Sequence, residues 1–325
     1  MPLSAAAPFT RTASSNPGDP TTLYAAPLGL PLGVAAGSAG ELYVADTTRV
    51  ARVDSNGRVT TCFEHLHAAF FDVALDGRGD LLVAGRVSGF GSVERITLSG
   101  ARSRFAAVDA IATAITCGPD GDVWVGVHPA WEIRCYDPLG NLKGAVDVSA
   151  VATDLSVFDL AFSPAGELCF SNGYAVFKIV GGAPRLVFRS EPGVSGLFGL
   201  AFDKDGYLYV AGYLYVAGSL RGRVILLDRT GQVVHDPFAL AGAPITLAFL
   251  RAANGAMTAR LLAVDYGGSI VELNPAAMRA EGFRVGVDPS RPTVSIGGPQ
   301  GLHLRTETHQ VTRSSIGARI GSVGL

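Results

Sequence analysis

Residues 199–212 read GLAFDKDGYLYVAG. The apolar run LAF leads into the polar turn DKDG, and a second apolar run, YLYVAG, leads out. Two short apolar runs joined by a Gly-bearing turn predict a β-hairpin. The phrase recurs as GVAAGSAGELYVAD (33–46), DVALDGRGDLLVAG (72–85), AITCGPDGDVWVGV (114–127) and DLAFSPAGELCFSN (159–172). Gly40, Gly79, Gly121, Gly166 and Gly206 hold one turn position in these five copies, which suits a backbone with positive φ. A sixth copy, TLAFLRAANGAMTARLLAVD (246–265), has a longer turn.

Each copy is followed by a third apolar run, such as RVARVD, SVERITL, EIRCYD or RVILLD, and often by a fourth, such as GRVTTCF or PRLVFRS. Four short antiparallel strands repeating every ~40–47 residues predict a β-propeller. Val34, Val73, Ile115, Leu160, Leu200 and Leu247 mark the first strands, so the fold expected is all-β with six four-stranded blades around a central channel. The expected layout is a mobile segment over 1–20, the propeller over 21–290 and an extension of open structure over 291–325. TTLYAAPL (21–28) is available as the outer strand of blade six. The extension could pair with a blade edge or with a second subunit as a homo-oligomer contact, or stay disordered.

In blade five the hairpin phrase continues as a second YLYVAG, residues 213–218, directly after the first. This reads as a six-residue insertion between strands two and three. It either lengthens a hairpin or forms a flap that leans Tyr213 and Tyr215 over the channel mouth.

Composition narrows the function classes. The chain has 325 residues, 48% hydrophobic, with mean hydropathy +0.31, enough for a sizeable core. Net charge is −2, with 26 Lys and Arg against 28 Asp and Glu, which argues against a nucleic-acid surface or a polybasic membrane patch. The start, MPLSAAAPFTRTASSNPGDP, lacks the apolar run of a secretory signal, and no run spans a membrane. Cys62, Cys117, Cys135 and Cys169 show no close pairing. Reduced thiols in a cytoplasmic protein are expected.

The phrases LAFSPAGEL and LAFDKDGYLYVAG, followed by GRVILLD, resemble the NHL repeat proteins and the SMP-30/gluconolactonase/strictosidine synthase-like propellers. The resemblance covers roughly residues 30–274. It implies a ligand site at the channel mouth. In lactonase-type relatives, the residue two before the first apolar position of the first strand faces that mouth, where Asn and Asp bind a divalent metal. A Glu near the N-terminus completes much of that site. Here the matching positions are Leu32, Phe71, Thr113, Phe158, Phe198 and Ile245. Five of them carry no metal-ligating group, and the chain departs from the lactonase pattern at each. No metal and no cofactor are expected. The apolar ring either plugs the hub or floors a cavity for a hydrophobic small molecule.

Polar and aromatic groups fall in connections on the same face: His128 and Trp131 in blade three, Tyr174 in blade four, Asp265 and Tyr266 in blade six, and Asp46 in blade one. Of these, His128, Asp265 and Asp46 are the candidate acid–base groups, although Asp46 and Asp265 also suit turn carboxylates. Glu64, His65 and His67 read as surface residues. No Walker loop, HExxH or CxxC motif is present. Three readings remain open. The first is a metal-independent enzyme of cyclase, lyase or isomerase type acting on a hydrophobic small molecule. The second is an NHL-like binding or scaffold module. The third is an SMP-30-type lactonase or esterase with an atypical site.

Overall fold

The structure is a computed structural model describing residues 21–25, 28–151, 157–190, 195–216, 219–235, 243–252, 254–280, 286–287, 293–296 and 302–305. It contains six four-stranded antiparallel sheets, each a blade. The first strands are Pro31–Ala36, Ala68–Leu75, Ile111–Cys117, Asp159–Phe162, Ser195–Phe202 and Pro244–Arg251. They contain the six marker residues expected from the repeat. Each first strand contacts those of the two neighbouring blades, and the sixth contacts the first, so the ring is closed.

In blade one, three further strands follow outward: Leu42–Asp46, Arg49–Val53 and Val59–Glu64. Blades two to five repeat this order in sequence. Blade six is made from both ends of the propeller. Its outer strand is Thr21–Ala25, which pairs with Ser269–Leu273. The six turn glycines, including Gly255 of the degenerate copy, have φ between 78° and 86°, the left-handed region where glycine carries no Cβ penalty.

The near-continuous apolar second strands follow from burial on both faces. In Leu81–Val87, Leu82 and Ala84 pack towards blade three, while Leu81 and Val83 pack towards blade one. The core is six apolar clusters, one in each gap between adjacent blades. A fully buried side chain such as Leu82 contributes about 1.5–3 kcal/mol. All four cysteines are free thiols. Burial, chiefly, pushes the thiols of Cys117 and Cys169 up to about 12.

The insertion in blade five takes one of the two forms expected from the sequence, a lengthened hairpin. Both YLYVAG copies run into one strand, Leu208–Val216, which pairs along its length with Ser219–Leu227. The first strand is also long here, so that Ser195 and Gly196 pair with Leu214 and Tyr213. The repeat therefore extends a hairpin rather than forming a separate loop. Alternation of period two explains this, since an in-phase repeat of a strand is more strand.

The blades and the short helix Pro275–Ala280 fall in one compact unit ending at Ala280, before the boundary at 290 expected from the sequence. Residues 281–325 form a second unit, in which Gly286–Val287, Thr293–Ile296 and Leu302–Arg305 make a three-stranded antiparallel sheet. Residues 1–20 lie outside the described residues. No helix among the described residues is long and apolar enough to cross a membrane.

Candidate functional site

An innermost strand is a sheet edge, and half of its N–H groups point away from its blade towards the axis. The first strands meet this constraint with bulges. The pairing register slips between Pro31 and Gly33, Phe70 and Asp72, Ala112 and Ala114, Leu197 and Leu200, and Pro244 and Thr246. The residue skipped, or one of the two skipped, is in each case a ring position: Leu32, Phe71, Thr113, Phe198 or Ile245. Bulges re-aim side chains, and here they do so at the same height in five blades. In blade four, Phe158 sits just before the strand and donates its N–H to Ser171 O at 3.0 Å. All six ring residues are partly exposed, whereas nearly all the residues between and beside them are buried. They border accessible space.

Three aromatic rings form a continuous set on one side. Phe158 meets Phe198 edge to face, with centroids 4.9 Å apart, and Phe198 lies 5.3 Å from Tyr213. Gly196 makes room for two of them. A Cβ there would stand 2.6 Å from the Phe198 ring and 3.0 Å from that of Tyr213. Tyr213, the first residue of the second YLYVAG, is thus packed on a ring position. The side chain of Tyr215 lies outside the described residues.

The other candidates are dispersed. His128 pairs with Ile111 at the start of the blade-three first strand, and its ring meets Trp131 edge to face at 5.1 Å. Its Nδ1 is buried with no hydrogen-bond partner. Trp131 has φ of 54°, an uncommon left-handed conformation for a bulky residue. Asp46 is occupied: its carboxylate accepts the N–H groups of Gly29 at 2.9 Å and Leu30 at 2.7 Å, and Nε of Arg49 at 2.8 Å. Asp265 accepts the N–H of Ser269 at 2.9 Å, as a turn carboxylate does. Tyr174 and Tyr266 are exposed on their connections. The His67 N–H donates to His65 Nδ1 at 3.3 Å, and the two rings lie 6.2 Å apart.

Sequence reasoning missed the residues beside the ring. One position further along, the six blades carry Gly33, Asp72, Ala114, Asp159, Gly199 and Thr246. Small and polar residues alternate around the axis. Asp72 accepts the N–H of its neighbour Val73 on Oδ1 and that of Ile115, in blade three, on Oδ2, both at 2.8 Å. Asp159 does the same with Leu160 and with Leu200 of blade five, both at 2.7 Å. Each carboxylate therefore ties two innermost strands together by capping their axial N–H groups. Gly33 allows one of these arrangements: a Cβ there would lie 2.2 Å from Asp72 Oδ1.

Burial is the largest influence on both carboxyls and raises both above the usual carboxylate range. The Asp159 charge pushes Asp72 further up, and the backbone N–H bonds partly oppose the rise. No Lys, Arg or His among the described residues offsets either one. The visible signal was the D that opens both DVALDG and DLAFSP where other copies have G, A or T.

The ring positions do not fit the divalent metal of the lactonase pattern, because their only heteroatom-bearing side chain is the Thr113 hydroxyl. Among the described residues, no group of three His, Cys, Asp or Glu side chains could hold a metal ion. A separate cleft of about 520 Å³ opens between blades four and five, on the face of the strand-one to strand-two turns. Its Lys178 and Lys204 are already paired with Glu167 and Asp205.

No family model matches the chain, and no curated protein matches it. Solved structures do. A gluconolactonase from Xanthomonas campestris superposes with a TM-score of 0.59 at 17% identity, over 85% of this chain and 99% of that one. The calcium-binding protein regucalcin from Agrobacterium tumefaciens gives a TM-score of 0.61 at 16% identity, over 79% and 95%. Virginiamycin B lyase from Staphylococcus aureus gives 0.55 at 13%, over 79% and 98%. At such identities the likeness concerns architecture. The chain has the six-bladed β-propeller fold shared by gluconolactonase/SMP-30-like proteins and virginiamycin B lyase.

Proposed function

We propose that this propeller is an enzyme that takes a small apolar molecule into its channel mouth and transforms it by proton transfer without a metal. The observation that carries the reading is the contact set Phe158–Phe198–Tyr213 at partly exposed ring positions, with the Asp159 carboxyl on the next residue. Sparse polar groups in an apolar concavity suit a small-molecule site. Aromatic walls gain about 25 cal/mol for each Å² of ligand surface they cover. A carboxyl raised by burial holds its proton at pH values where a free carboxylate has lost it, which suits a general acid. Asp159 directly follows Phe158 in the chain, which sets its carboxyl next to the aromatic set. Cyclisation, condensation and isomerisation fit such a site, because positioning and one proton donor supply most of what they require.

The lactonase reading is the alternative, supported by the gluconolactonase-like neighbours and opposed by the donor set of the ring. One pair of measurements separates the readings. The neutral apolar dye N-phenyl-1-naphthylamine should bind the wild type and lose its fluorescence enhancement in Phe198→Asp, where an unpaired charge enters the apolar wall. Turnover of a panel of apolar lactones, esters and olefins should survive exhaustive chelation. Dye binding unaffected by Phe198→Asp, or lactone turnover abolished by chelation and restored by Ca²⁺, would discard the proposal.

A further inference from the structure

We infer that the chain carries a second small-molecule site away from the channel mouth: the cleft between blades four and five takes an arylalkyl carboxylate. The cleft traces to one small residue. In the second strands, the position after Leu42, Leu81, Val123, Leu168, Leu208 and Leu261 packs towards the next blade. It holds Tyr43, Leu82, Trp124, Cys169, Tyr209 and Leu262, of which Cys169 is the smallest. In two gaps a large residue there meets the phenylalanine of the next blade's LAF run. Trp124 and Phe162 stand edge to face with centroids 6.2 Å apart, and Tyr209 and Phe249 do so at 5.3 Å. The LAF phenylalanine of blade five, Phe202, has Cys169 in that place instead. Both line the cleft, whose volume of about 520 Å³ falls in the range of small-molecule sites. A ligand ring would fill the place that Trp124 and Tyr209 fill in their gaps, and ring pairs of this geometry gain more than area burial alone.

The rim of the cleft sets the charge of the ligand's other end. Glu167 is paired with Lys178, and Asp205 with Lys204 and Arg279. Asp228 turns one oxygen into its own turn, where it accepts the N–H groups of Thr230 and Gln232. Arg229, also on the rim, makes no ion pair with a described residue. Its position is nonetheless fixed. The stem lies on Gly206, where a Cβ would stand 3.4 Å from Arg229 Cγ, and Nε donates to the backbone oxygen of Asp205. The two terminal amino groups of the guanidinium are left at the rim, set for a two-point bond to a carboxylate.

The test titrates the full chain calorimetrically with 6-phenylhexanoate, 6-phenylhexan-1-ol and 6-phenylhexylamine. The acid should bind about fivefold or more tightly than the alcohol, and the amine more weakly than both. Cys169→Tyr restores the ring found in blades one and five. It should keep the melting temperature and weaken acid binding by about tenfold or more. Arg229→Gln, at the exposed rim, should bring the acid to the alcohol's affinity and leave the alcohol unchanged. That variant decides alone if Cys169→Tyr does not fold. Phe198→Asp, which alters the channel mouth, should leave acid binding intact. Acid binding lost in Phe198→Asp and untouched by Cys169→Tyr and Arg229→Gln would put the probe in the mouth and overturn the assignment. Equal affinities of acid and alcohol, or no binding of any probe, would overturn it as well.

Discussion

The Asp72 carboxylate in blade two accepts the backbone N–H of Ile115 in blade three, 2.8 Å away. Strand ladders hold each blade together, while neighbouring blades are joined mainly by packed side chains, with isolated backbone bridges such as Thr47 to Phe70 and Gly173 to Leu197. This bond and its counterpart from Asp159 to Leu200 are buried polar ties across gaps filled mostly by apolar side chains. Asp72→Ala leaves two buried N–H groups without acceptors and should cost about 1–3 kcal/mol in urea unfolding. Asp72→Asn keeps an acceptor oxygen and should cost less. Equal stability of Asp72→Ala and wild type would show that the tie contributes nothing.

The same carboxyls set a pH dependence. Their folded-state pKa values lie above the unfolded ones, so the folded protein binds protons more tightly. The associated stability is fully present below the ordinary Asp pKa and is lost as pH rises through the raised values. Between those limits, unfolding free energy should fall with pH in the wild type. The slope should be shallower in Asp159→Asn. An unchanged slope would place the titrating groups elsewhere.

Gly196→Ala probes the aromatic set without touching a ring. Its Cβ would stand 2.6 Å from Phe198 and 3.0 Å from Tyr213, so both rings must shift. Overpacking of this kind should cost about 1–3 kcal/mol. Dye affinity should fall with it. A variant with unchanged affinity would separate the ring contacts from the ligand.

Deletion of residues 213–218 removes Tyr213 and shortens the blade-five hairpin towards the length seen in other blades. The first YLYVAG still supplies the second strand, so a melting curve should remain cooperative. Apolar ligand binding should drop. A deletion that unfolds the chain would make the second copy part of the scaffold.

Arg279 in the helix Pro275–Ala280 binds carboxylate oxygens of Asp203 and Asp205 and lies over the Tyr207 ring at 4.9 Å. Arg279→Ala leaves the buried Asp203 without its cation and should cost about 1–3 kcal/mol by denaturant midpoint. Because Arg279 is itself partly exposed, part of that loss should also appear when salt is added to the wild type.

The blade count and the first strands were legible because a propeller repeats one pattern, and six copies of LAF-turn-LYVAG average out local noise. The ring positions follow from alignment to the first apolar residue, and the bulges the structure puts at five of the six leave no mark in composition. Asp72 and Asp159 were harder to read. A lone Asp before an apolar run looks like an N-terminal turn residue, and its partner N–H lies some forty positions away in the next blade. The opposite mismatch occurred at Asp46, whose polar position in a connection suggested chemistry while Gly29, Leu30 and Arg49 saturate it. The fusion of two YLYVAG copies into one strand follows from phase, since an even-numbered insertion keeps every side chain on its original face.

The pairing of Thr21–Ala25 with Ser269–Leu273 has a consequence for biosynthesis. Of the propeller's strands, the one translated first belongs to the blade that is completed last. Until then blade six has a bare edge, and nascent chains crowded on one message could exchange this strand between copies. Recruiting the first-made strand to finish the last-made blade means the ring shuts only once the whole propeller has been translated.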